Sequence, residues 1–168
     1  MTNAADVILR NATEADRPAI AALNTRAFGQ PDEARIIADL ETAGDVLLQL
    51  VAELEGRIVG HILFYPLGVR GKLGAVGLGP MSVDPTLQRS GVGSKLVRAG
   101  LSMMQQSGVP IVFVLGHEAY YPRFGFSVDA TEEFETPLKG PHFMAVRMRH
   151  GPPMSGDLIF PEAFGVVG

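Results

Sequence analysis

The chain has 168 residues, 46% of them apolar and 19% charged, with a formal net charge of −4 and no cysteine. This length and apolar share can build one core of ordinary size, which excludes a disordered chain. The lack of cysteine excludes disulfides, thiolate metal sites and a thiol nucleophile, and the negative charge disfavours nucleic acid while suiting a cationic acceptor. His61, His117, His142 and His150 show no metal-ligand spacing, so no metal is expected. Met1–Asp6 lacks a basic segment leading into an apolar one, and no apolar run approaches the roughly 20 residues of a membrane span. The expectation is a cytoplasmic protein without a membrane partner.

In chain order, Val7–Arg10 reads as a first strand. Thr13-Glu14-Ala15-Asp16 then supplies a capping signal, and Ile20, Leu23 and Phe28 form a helical stripe that Gly29-Gln30-Pro31 breaks. Pro31 opens a second helix through Ile36, Ile37 and Leu40, closing near Gly44. Val46–Leu54 and Arg57–Leu67 form a strand pair around a Glu55-Gly56 turn. Gly71–Gly74 reads as the next hairpin loop, leading to a strand over Ala75–Val83. A helix spans Val92–Gln106, and Ile111–Leu115 has the unbroken apolar character of a buried parallel strand. Phe143–Met148 is a late strand. The tail is read as irregular, with a short packed strand around Leu158–Phe160. Strands and helices in this order make an α/β domain with a mixed central sheet, a single domain over 1–168 with its core at about 7–150.

The stretch Gln88-Arg89-Ser90-Gly91-Val92-Gly93 carries the most chemistry. A glycine-punctuated turn running into a helix start collects backbone N–H groups that lack helical partners, and the helix dipole adds positive potential. Such a site suits a phosphate or pyrophosphate, with hydroxyls of Ser90 and Ser94 and the charge of Arg89 in reach. A Walker loop fails, because the order is Gly93-Ser94-Lys95-Leu96. A dinucleotide fingerprint fails as well, because position 96 is Leu where the third glycine belongs. Downstream, Ile111–Leu115 ends in Gly116-His117-Glu118-Ala119-Tyr120-Tyr121-Pro122-Arg123-Phe124-Gly125-Phe126.

Gln-Arg-x-Gly-x-Gly after Val83-Asp84-Pro85, followed by a strand and then Tyr121, Arg123 and Gly125-Phe126, resembles the GNAT superfamily of acyl-CoA-dependent N-acyltransferases. The YhbS-like branch is the nearest match, over Val7 to about Phe164. The resemblance implies two splayed parallel strands that bind acyl-CoA, a bulge at Gly79-Pro80 opening the gap. It implies main-chain contacts from Met81, Ser82 and Val83 to the pantetheine arm. Gln88, Arg89, Ser90, Gly91, Val92, Gly93 and Ser94 would hold the pyrophosphate, and Arg123 is a second candidate for a phosphate contact. Tyr121, at the family's tyrosine position, is the expected catalytic acid that protonates the departing thiolate. A short helix is expected to carry it.

The implied activity is acetyl transfer from acetyl-CoA to a primary amine of a small molecule or protein, by direct attack in a ternary complex. A non-catalytic acyl-CoA-binding or sensing module is the alternative, and a homodimer is left open. No general base is identified. Glu118 reads first as a cap at a helix start, His61 as a hydrogen-bonded core histidine, and Glu33 and Arg35 as helix-surface charges.

Overall fold

The computed structural model describes residues 6–148 and 154–166. They fall into two compact units, one of residues 6–63 and 80–100, the other of 64–79, 101–148 and 154–166.

In the first unit β1 (Ile8–Asn11) lies antiparallel to β2 (Leu48–Leu54), with Arg10 opposite Val51. Between them in sequence come α1 (Arg17–Phe28) and α2 (Asp32–Ala43). The expected capping signal is in place: the Thr13 N–H donates to Asp16 Oδ2 at 2.7 Å. Asp16 also accepts two N–H groups of Arg10, at 2.7 and 2.9 Å, so the first helical region is tied back to β1. Both helices stop where a glycine enters the left-handed region, Gly29 at φ 72° and Gly44 at φ 74°. β3 (Arg57–Val69) begins after Glu55 and Gly56, which both have positive φ, as a two-residue type I′ hairpin requires. The first turns of α3 (Val92–Gln106) seat directly on β3. A Cβ on Gly60 would come within 2.9 Å of Val92 and Leu96, so glycine sets how closely the helix approaches. Ile20, Leu23, Leu40, Val51 and Val59 fill the core beneath α1 and α2.

β4 (Lys72–Val83), of which residues 72–79 belong to the second unit and 80–83 to the first, follows β3 through another two-residue turn, with Arg70 at φ 53° and Gly71 at φ 76°. This corrects the expected loop over Gly71–Gly74: two left-handed residues complete the reversal, and strand geometry resumes at Lys72. β5 (Ile111–Leu115) pairs parallel to β4, from Val76↔Val112 to Leu78↔Val114. β7 (Phe143–Arg147) pairs antiparallel to β5. The tail is more regular than its composition suggests. β8 (Gly156–Ile159) pairs with the end of β3 and, in parallel, with β6 (Phe134–Glu135), and a 3₁₀ turn covers Glu162–Phe164. The core is aromatic: Phe113 stands edge-on to Phe134 at 4.9 Å and stacks on Phe143 at 5.5 Å.

The strands hydrogen-bond in the order β1-β2-β3-β4-β5-β7, with β8 joined to β3 and to β6, giving an open mixed sheet of eight strands. With three α-helices among the described residues, this is the expected α/β fold. No helix among the described residues is long and apolar enough to cross a membrane. The readings of the extreme amino terminus, of His150 and of the start of the tail fall partly or wholly on residues 1–5 and 149–153, outside the described residues.

Candidate active site

The ladder between β4 and β5 ends at Leu78↔Val114, yet β4 continues to Val83. Gly79, the next residue, has φ 136°, a value that L side chains rarely adopt. The distortion falls where the Gly79-Pro80 pair led us to expect a bulge. Beyond it Met81 is half-buried, and Ser82 and Val83 are buried. The hydroxyl oxygen of Ser82 is buried and has no hydrogen-bond partner among the described residues. A buried hydroxyl left unpaired costs about 1–3 kcal/mol, so this position suits a ligand that brings a polar group to it.

The loop that follows is held by its own polar groups. The Gln88 amide returns to the carbonyl of Val83 at 3.1 Å. The Ser90 hydroxyl donates to the carbonyl of Leu87, so it is committed within the loop. This corrects the sequence expectation that the hydroxyl reaches a phosphate; Ser90 has its N–H to offer instead. Arg89 (φ 65°) and Gly91 (φ 98°) are both left-handed, and Arg89 is exposed. α3 starts at Val92, whose side chain is buried against β3 and is unavailable to a ligand, and the N–H of Lys95 closes onto the carbonyl of Gly91 at 3.1 Å. The backbone of Gly91, Val92, Gly93 and Ser94 therefore forms a helix N-terminus, with the dipole and donor set that an anion needs.

Tyr121 lies in the second unit. The expected short helix is a single 3₁₀ turn, Tyr121–Phe124, closed by Gly125 at φ 95°. Glu118 is not at its N-terminus: the turn leading into it is closed by Tyr120 and Tyr121 N–H groups on the carbonyl of His117. The Tyr121 ring is buried at 7% exposure and lies on Gly116, where a Cβ would sit 2.4 Å from the ring. Tyr120 and Phe126 meet it edge-on at 5.1 and 5.6 Å. Burial, helped by Tyr120, pushes the phenol above its ordinary range, so it is protonated at neutral pH. Arg123 is engaged with its own turn. Its Nε donates to the carbonyl of Tyr120 at 3.0 Å, and its guanidinium sits 4.6 Å over the Tyr120 ring.

His61 is fully buried in the first unit, with Nε2 2.7 Å from Gln49 Oε1 and Nδ1 3.4 Å from Asn24 Nδ2. The amide oxygen of Gln49 can only accept, which assigns the proton to Nε2, and burial pushes the ring down to about 3. It is a neutral core histidine. Glu33 accepts from Gln30 on the surface of α2, and Arg35 pairs with Asp32 at 3.2 Å. Sequence reasoning missed Asn24 and Gln49 as partners of His61, because nothing local marks residues far apart in the chain as neighbours. It also missed Leu115, 56% exposed at the end of β5. A cavity of about 600 Å³ in the first unit, bordered by Arg10, Asp16, Arg26, Glu53, Arg57 and Asp84, has none of the expected site residues in its lining.

A mixed sheet of this strand order is the fold of the GNAT acetyltransferases. The match is direct: the acetyltransferase (GNAT) domain family covers residues 9–128, and the chain belongs to that family. It is 40% identical over 118 residues to the uncharacterized N-acetyltransferase YjhQ of Escherichia coli K12, a match over 67% of this chain and 65%, just under two thirds, of YjhQ. With the uncharacterized N-acetyltransferase YhbS of the same organism it shares 36% identity over 126 residues, 74% of this chain and 75% of YhbS. The structure of E. coli YhbS in complex with CoA superposes with a TM-score of 0.88 at 30% identity, covering 97% of this chain and 94% of that one. A GNAT family acetyltransferase from Brucella melitensis in complex with acetyl-CoA gives 0.81 at 33% identity, covering 94% and 97%.

Proposed function

We propose that this chain acts as one N-acetyltransferase domain, moving an acetyl group from acetyl-CoA to a primary amine by direct attack in a ternary complex. The observation that carries this reading is the end of the β4–β5 ladder at Leu78↔Val114, with β4 running on past it toward the loop and the start of α3. Strand backbone released from its neighbour offers N–H and C=O groups to an extended ligand, as a missing strand would. The amides of a pantetheine arm are such a ligand, and Met81 and Val83 would bond them while Ser82 receives a polar group at its unpaired hydroxyl. Arg89 and the N–H groups from Gln88 to Ser94 would hold the pyrophosphate. CoA complexes of the two similar structures support the assignment of the ligand class.

The cosubstrate supplies an activated thioester. The chain's part is to orient it, to donate to the carbonyl oxygen from the backbone of Met81–Val83 as negative charge develops, and to deliver a proton. As the C–N bond forms and the C–S bond breaks, Tyr121 gives its phenolic proton to the leaving sulfur. The amine's surplus proton leaves to solvent, and Tyr121 takes a proton back from solvent to regain its phenol. The raised affinity of the buried phenol for its proton keeps it in the donor form at pH 7.

Thermal unfolding with acetyl-CoA, CoA, ATP and NAD tests the reading. A ligand at 100 times its Kd adds about 2.7 kcal/mol, enough to shift the midpoint by a few degrees. CoA species alone are expected to shift it, and Gly91→Glu is expected to abolish the shift. A shift with ATP or NAD alone, or with none of the four, overturns the reading. CoA binding with no thioester consumption across a broad amine panel would mark a binding module instead.

A further inference from the structure

The loop that meets the proposed pyrophosphate is preceded by an acid, which is an awkward neighbour for an anion site. Asp84 is buried at 8% exposure, and every polar group it has is engaged. Oδ1 accepts the N–H of Thr86 at 3.0 Å and its hydroxyl at 2.7 Å. Oδ2 accepts from Arg26 Nη2, on α1, at 3.2 Å. Its own N–H donates to the carbonyl of Val59 on β3 at 2.8 Å, and its carbonyl accepts the N–H of Leu87 at 2.8 Å. Asp84 thus joins β3, α1 and the 3₁₀ turn Pro85–Leu87 at one point, immediately before Gln88. The neighbouring bonds, Gln88 to Val83 and Ser90 to Leu87, continue the same short chain of contacts up to Ser90.

We propose that Asp84 is a positioning residue that presets the loop Gln88–Gly93 for the pyrophosphate, and that Arg26 cancels the charge which would otherwise repel that anion. This rests on the acyl-CoA reading above. Two physical demands explain why an acid and a base are both present. Capping the turn needs an acceptor that takes two donors from Thr86 at once, which a carboxylate does well. Placing that carboxylate beside an anion site costs Coulomb energy unless a cation faces it, and Arg26 is the cation in contact. The Arg26 side chain is half-exposed and borders the cavity beneath α1, so its charge is partly screened, whereas Asp84 is not free to turn away. Thr86 first, and then Arg26, hold the Asp84 carboxyl below its ordinary range, so it stays ionised through the physiological range.

The test compares two probes, CoA and pantetheine, which share the arm but differ in the pyrophosphate. Binding is measured for the wild type and for Asp84→Ala, Asp84→Asn and Arg26→Gln, with thermal unfolding to establish that each is folded. Loss of a charge-assisted bond predicts roughly tenfold weaker CoA binding in Asp84→Ala. Asp84→Asn keeps an acceptor for Thr86, and its loss should be about threefold, the smaller part of a charge-assisted bond. Arg26→Gln should weaken CoA most at low salt, where an uncancelled carboxylate is least screened. Pantetheine affinity should not change in any of them. Equal loss for both probes would reduce Asp84 to a structural residue, and no loss for CoA would remove it from the site; either overturns the inference. Should Asp84→Ala fail to fold, the asparagine and Arg26 variants decide. A wild type that binds CoA no better than pantetheine would instead overturn the pyrophosphate reading itself.

Discussion

The two units are held together by different physics. The first adds to its apolar core a set of directional polar contacts: His61 with Gln49 and Asn24, Asp16 with Arg10 and Thr13, and Asp84 with Arg26 and Thr86. The second relies on rings packed over glycines, with Tyr121 on Gly116 and Tyr65 on Gly77, and with Phe113, Phe134 and Phe143 at its centre. Polar bonds are directional and titrate, so the first unit can shape a loop for an anion but carries a pH dependence. Ring packing is insensitive to pH but intolerant of volume, so the second unit fixes one phenol in place.

The largest effect expected is on the ring-packed side. Tyr121→Phe keeps the packing and removes the proposed proton donor, so kcat should fall roughly a hundred- to ten-thousand-fold with the first acceptor that turns over, while CoA affinity and the unfolding midpoint hardly move. Because burial raises this phenol, any alkaline fall in kcat below about pH 10 in the wild type belongs to another group. A variant that loses CoA binding as much as rate would break the proposed division between a turn that donates a proton and a loop that binds.

Next comes the pH dependence of the polar side. Folding disfavours the protonated form of His61, whose ring is pushed down to about 3, whereas the unfolded chain takes up that proton near 6.5. The stability is therefore fully present above about pH 6.5 and is lost as pH falls toward 3, by an amount on the order of 5 kcal/mol. Urea midpoints measured across this range should slope downward with acid in the wild type and much less in His61→Gln. Equal slopes would show that His61 is not the titrating group.

Overpacking should come third. Gly116→Ala places a Cβ 2.4 Å from the Tyr121 ring, and a loss of about 1–3 kcal/mol in the urea midpoint is expected at every pH. A pH-dependent loss would contradict the comparison. The smallest effect concerns Asp16, held below the usual carboxylate range by Arg10 and then by the Thr13 N–H. This preference for the ionised form stabilises the fold above about pH 4 and is lost as pH falls below that. Asp16→Asn should thus cost about 1–2 kcal/mol near pH 7, with the difference from wild type closing in acid.

Local chemistry explains how much was legible beforehand. Thr13 and Asp16, Gly29, Gly44 and the Glu55-Gly56 turn are signals of a few adjacent residues, and each appears where its sequence puts it. The loop Gln88–Gly93 and the Gly79-Pro80 distortion were visible for the same reason: a positive φ beside an apolar strand leaves a mark in the sequence. The Gly71–Gly74 loop was overdrawn because a glycine-rich composition cannot show that Arg70 takes the first left-handed position. The strand expected around Leu158–Phe160 forms slightly earlier, as β8 at Gly156–Ile159, because its bounds are set by the edges of β3 and β6, which lie far away in the chain.

The sequence by itself determined the family motif, the α/β order of elements and the candidate residues, since each depends on spacing along the chain. Only the tertiary structure decided what those residues have left to give. It commits the Ser90 hydroxyl to Leu87 and ties Arg123 to Tyr120. It leaves the Ser82 hydroxyl unpaired, makes His61 a neutral core residue and brings Arg26 to Asp84. Burial and hydrogen-bond partnership are properties of groups that meet across the fold, and no local pattern encodes them.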